Sequence, residues 1–207
     1  MKKILIVLGI IILLFIGVLG FSIIYHHKTN IENLPQKQTY PTIPVEPTKS
    51  EEKTYSKNEK LWMKLLEDIM QRDEALNYEM EYLAIDFESI AKPKGEVDKD
   101  SQEKYETYYS LSEEEIETIM NDCKKYHSNV VNKSMDDLEN EGLFHEEFPG
   151  GIDGICIYVR DIENVTEDSI EIMLGKYRGG LAAIWPEYKA TYENGEWKIE
   201  VISMAIS

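Results

Sequence analysis

Apolar and polar positions divide the 207-residue chain into stretches of different period. From Ile4 to Ile24 the chain runs 21 residues without a charge. About 20 apolar residues in a helix cross a bilayer core, so this run predicts a membrane-spanning helix. A cleaved secretory signal would have a shorter apolar core and a small-residue cleavage site. No A-x-A site occurs there and no cysteine stands near the end of the run, which favours an uncleaved anchor over residues 1–27. Lys2 and Lys3 precede the run and Lys28 follows it, so the short head is expected in the cytoplasm and the rest of the chain outside it. Residues 28–55 carry Pro35, Pro41, Pro44 and Pro47 among polar residues, the pattern of an extended stalk.

Beyond the stalk the period becomes helical. Ser56 and Glu59 have capping-box spacing, and Leu61, Trp62, Leu65, Leu66, Ile69 and Met70 recur every three or four residues. Residues 76–87 fit both periods; a short strand near Tyr82–Asp86 is expected after a helix ending near Asp73. Residues 92–109 are polar and turn-rich and read as a loop. Ser112 and Glu115 form a second capping box before Ile116, Ile119, Met120 and Cys123. Val130–Val131 is a short apolar stretch, Ser134 and Asp137 start another capped turn, and Gly142 is placed to stop it.

The last third alternates. Ile155, Ile157 and Val159, then Ile170, Ile172 and Leu174, then Tyr188, Ala190 and Tyr192, then Trp197, Ile199 and Val201 define four strands. Turns are expected at Glu163–Asp168, at Lys176–Gly180 and at Asn194-Gly195, a type I′ hairpin signal. Pro186 suggests an edge position or a bulge in the third of them. The expected fold is α+β: an N-terminal transmembrane helix, then residues 56–207 as helices packed on one face of a four-stranded antiparallel meander.

Charge sharpens this picture. The chain carries −17 in all. Residues 1–55 hold six Lys and four Glu, whereas residues 56–207 hold 16 basic and 35 acidic groups, a net of −19. Such a body repels phosphate backbones, which argues against a nucleic-acid partner.

Candidate chemistry is sparse. His26 and His27 lie at the membrane boundary, and His127 and His145 stand alone, without a second ligand at metal-site spacing. Asp98, Asp100 and Glu103 open like a calcium loop, but its sixth position lacks glycine and its twelfth is Tyr109. Nucleophile elbows, phosphate loops and dinucleotide fingerprints are missing from the sequence, so neither a catalytic residue, a metal nor a cofactor is assigned. Carboxylates are too numerous to single out a catalytic pair. Cys123 and Cys156 read either as two buried thiols or as a disulfide. Lys176, Tyr177 and Arg178, beside Gly179 and Gly180, form the one compact basic-aromatic cluster, a candidate anion-binding site as well as a turn.

The segments Met80–Asp86, Leu138–Leu143, Lys176–Ile184 and Asn194–Lys198 resemble an uncharacterised family of membrane- or lipid-anchored proteins of low-GC Gram-positive bacteria. Its members are often labelled peptide ABC transporter permease. A single span cannot line a transport path, and the resemblance implies no catalytic residues. The expectation is therefore an extracytoplasmic, non-catalytic module, held in the cell membrane through residues 4–24, that binds a ligand or a protein partner of the cell envelope. The alternatives are a cell-envelope hydrolase with an acidic site, or a transporter accessory subunit.

Overall fold

The chain divides into two units, Met1–Glu51 and Glu52–Ser207. The computed structural model describes residues 54–145 and 150–207, all within the second unit. The expected membrane helix and most of the stalk lie outside the described residues. Among those residues, no helix is long and apolar enough to cross a membrane.

Helix α1 (Lys57–Gln71) begins at the expected capping box: the Ser56 hydroxyl accepts from the Glu59 amide, and the Glu59 carboxylate accepts from the Ser56 amide. Its six apolar positions are buried, which gives the core its main ridge. A 3-10 turn (Glu74–Asn77) leads to strand β1 (Leu83–Ile85). Helices α2 (Phe87–Ala91), α3 (Lys99–Tyr109) and α4 (Glu113–Cys123) connect β1 to β2 (Val130–Asn132). Helix α5 (Met135–Asn140) ends at Gly142, whose φ of +72° suits a residue without a Cβ. Four long strands follow: β3 (Ile155–Glu163), β4 (Ser169–Gly179), β5 (Ala182–Glu193) and β6 (Glu196–Ile206).

The expected four-stranded antiparallel meander is corrected here. The sheet has six strands in the order β2-β1-β3-β4-β5-β6, and it is mixed. β3 to β6 pair antiparallel in sequence order, but β1 lies parallel to both β2 and β3, with Leu83 against Val130 on one side and Ile155 on the other. All three β1 residues are buried, so no alternation marks the strand. Helices also cover both faces at this end. Leu83, Ile85, Ile155 and Ile157 pack with α1, α2, α3 and α4, while Ala84 and Cys156 pack with Leu138 of α5. Two crossovers on opposite faces meet the needs of parallel strands, which are normally buried on both sides.

Two local readings are also corrected. Residues 99–109 are helical, capped by the Asp98 carboxylate on the Asp100 and Ser101 amides, with only Tyr105 and Tyr109 buried. Two aromatic residues four apart in a polar stretch leave a faint helical signal. Lys176–Gly179 continues β4, so the turn is confined to Gly180–Leu181. Pro186 sits in an interior strand, next to the β5–β6 register shift between Glu187 and Tyr188.

Close approach at Gly154 joins β1 to β3. A Cβ there would lie 2.3 Å from two ring carbons of Tyr82 and 2.6 Å from its carbonyl oxygen. Gly154→Ala should therefore destabilise the body by about 1–3 kcal/mol, the usual range for overpacking. A lower urea midpoint at unchanged slope is the expected readout; an unchanged midpoint would contradict the contact.

Candidate functional site

The cluster at 176–178 does not converge on one pocket. In β4, Lys176 pairs with Ile157 and Ile184, on the face that carries α1. Tyr177 is on the opposite face, packed with the smaller core group. The Lys176 side chain is fully buried, and its ammonium donates to the carbonyls of Met70, Arg72 and Asp73, at 3.3, 2.6 and 3.2 Å. These groups lie at the C-terminal end of α1, where carbonyls lack helical partners and a cation is favoured. Tyr177 donates its hydroxyl to the Gly150 carbonyl at 2.5 Å. Arg178 donates to the carbonyls of Leu76, at 2.8 Å, and Tyr78. All three side chains thus bind this chain's own backbone.

A second polar group, not foreseen from the sequence, lies at the carboxyl ends of β1 and β2. The Asp86 side chain is fully buried and caps α2 by accepting from the Ser89 amide at 2.8 Å. Its other oxygen is 3.5 Å from the Lys94 ammonium and has no hydrogen-bond partner. Asn132 accepts from the Phe87 amide at 3.4 Å, and the Ser89 hydroxyl accepts from the Val159 amide at 2.9 Å. These residues come together only through parallel pairing, which sequence spacing does not reveal. Chemically the group is a buried carboxylate, paired with an exposed lysine, that fixes the start of α2.

Three further carboxylates with shifted pKa values serve the fold. Hydrogen bonds from Ser101 lower the Asp98 pKa, and hydrogen bonds from Ser134 lower that of Asp137. Burial alone would raise Glu115, but bonds from Ser112 and Ser56 outweigh it and hold its pKa down. All three carboxylates serve helix starts. Burial pushes the Cys123 thiol up to about 12 and raises that of Cys156. The two cysteines are free and belong to separate core groups. His127 Nδ1 accepts from the Asn129 amide at 3.0 Å, and His145 lies 2.8 Å from Asp153. An open hollow of about 330 Å³ is lined by Ser56, Lys57, Asn58, Tyr108, Glu115 and other residues; its lysine already binds Asp168 and the Glu167 carbonyl.

Among the described residues, the end of β6 gathers several exposed apolar side chains. Trp197 near its start is 1% exposed, whereas Ile202, Met204 and Ile206 are 45%, 46% and 66% exposed. α1 is tied to the beginning of the strand: Trp197 donates to the Lys57 carbonyl, and Lys60 and Lys64 donate to the carbonyls of Gly195 and Trp197. The other end of α1 lies over β4 at Lys176. The helix therefore crosses the sheet diagonally. Met204 pairs with Pro186 and Ile206 with Ile184, so both side chains are on the helix-bearing face at the corner beyond its reach. Their backbone is open as well. The Ser207 amide donates inward to the Ala183 carbonyl at 3.1 Å, so by alternation Met204 and Ile206 direct their amides and carbonyls away from β5.

No family model, curated protein or solved structure matches the chain. These comparisons leave the resemblance to the anchored Gram-positive family untested, and the functional reading rests on the geometry and the sequence.

Burial lowers the Lys176 pKa to about 8, against the upward pull of Asp73 and Glu74. Between about pH 8 and about 10.4, the usual lysine value, the unfolded chain therefore binds the proton more tightly, and stability from this group rises with pH. Above about pH 10 the buried tyrosines act in the opposite direction, since burial raises Tyr82 to about 12 and Tyr105, Tyr109 and Tyr188 further. Lys176→Met should remove the rise and leave the fall, and should cost about 1–3 kcal/mol at neutral pH by orphaning the Arg72 carbonyl, since those of Met70 and Asp73 keep Asn77 and the Leu76 amide as donors. Urea melts across this pH range test it; a rise that persists in the variant would contradict the assignment.

Proposed function

We propose that the chain is a membrane-anchored, extracytoplasmic, non-catalytic binding module, and that its partner is a protein that docks on the free edge of β6. The single observation that carries this reading is the corner of β6, where outward backbone groups and uncovered apolar side chains coincide. An extended backbone fits such an edge by adding a strand. Buried Lys176, half-buried Arg178 and the shifted carboxylates of Asp98, Glu115 and Asp137 support it from the other direction, because all of them already serve the fold. Placement outside the cytoplasm rests on the uncharged run at 4–24 and its flanking lysines. The Pro-rich stretch at 28–55 is the spacer in this reading.

A photo-crosslinking residue at position 204, introduced in cells that naturally express the chain, should give a protein adduct. The same residue at the exposed Glu117 should give none. Lack of any adduct at position 204 would defeat the contact. Protease added to intact cells should digest the body; protection would reverse the proposed topology.

A further inference from the structure

We propose that the strand docking on β6 is β6 of a second copy of this chain, antiparallel to the first about a two-fold axis near Met204. This deepens the proposed reading of β6 as a contact surface and rests on it.

Sheet edges are usually guarded by brevity, charge, proline or a bulge. The β2 edge has three residues. The first part of β6 carries Glu196, Lys198 and Glu200, and the β5–β6 register shift falls before Ser203. From Ser203 to Ser207 the stretch is regular and free of proline and of charged side chains, so its short length and the bulge before it are its guards.

That stretch is complementary to itself. A two-fold axis at Met204 lets each Met204 amide donate to the other Met204 carbonyl, as in a hydrogen-bonded antiparallel pair. Ser203 of each copy then faces Ala205 of the other, and Ile206 meets the bulged Ile202 of the other at the margin of the seam. Glu200 falls outside the paired segment, so no like charges oppose each other across the seam. Every copy of the chain carries this same edge, and pairing it closes both exposed edges in one continuous sheet. Net charge is the opposing force. Bodies of −19 repel one another, and salt screens that repulsion. A cationic foreign strand would show the reverse salt dependence.

The test uses the purified full chain in detergent, its protein mass measured by light scattering corrected for the micelle. The mass should be twice the 24.0 kDa of one chain. The dimer fraction should rise as salt goes from about 0.01 M to about 0.15 M, over which the Debye length falls from about 30 Å to about 8 Å. Met204→Pro removes an outward amide without breaking a β5–β6 hydrogen bond and should restore the single-chain mass. Met204→Lys should do the same and decides the matter if the proline variant fails to fold. A single-chain mass for the unaltered protein at every salt concentration would overturn the proposal, as would a dimer that persists in both variants. An adduct to a different protein at position 204, with a single-chain mass in detergent, would reject the second copy and keep the contact surface. No adduct and a single-chain mass would reject both.

Discussion

The ammonium of Lys176, set among three carbonyls at the end of α1, fixes how the helical layer lies on the sheet. A buried ammonium is costly unless its donors are satisfied. Here the donors meet carbonyls at the end of the helix, of which Met70 and Asp73 also accept from Asn77 and the Leu76 amide and Arg72 is satisfied by the ammonium. Because Lys176 is in β4 while the other end of α1 is tied to the start of β6, the helix must run across the strands at an angle. Asp68, bound by the Tyr188 hydroxyl of β5 at 2.9 Å, holds the middle of that diagonal.

Length explains what the diagonal leaves uncovered. A 15-residue helix spans about 22 Å at 1.5 Å per residue. An 11-residue strand spans about 36 Å at about 3.3 Å per residue. The helix ends two strands away from Ile206 and cannot shield it. The apolar side chains at this corner and the open backbone beside them therefore share one cause, and the proposed docking edge follows from the packing of the core.

Much of this was legible in the sequence. Three capping boxes start α1, α4 and α5 where serine and acid stand three apart. Asn194 and Gly195 both adopt positive φ, as a type I′ hairpin requires. The four alternating strands pair as consecutive neighbours. The parallel edge was hidden because β1 and β2 have three residues each, and because β1 is buried on both sides and carries no period. Lys176 was visible as a cation but not as a buried one, since its partners lie about a hundred residues earlier in the chain. Exposure at the end of β6 was equally hidden: the alternation read from the sequence stops at Val201, and the uncovered corner follows only from the path of α1.

Amide hydrogen exchange along β6, followed as protein concentration is raised, tests the account most directly. In dilute solution the Ser203, Ala205 and Ser207 amides should be protected by β5, while those of Met204 and Ile206 exchange freely. As concentration rises, Met204 and Ile206 alone should gain protection. Protection of those two amides at the lowest concentration would mean that the chain covers its own edge, and free exchange at every concentration would mean that the edge pairs with no second copy; either result would contradict the account.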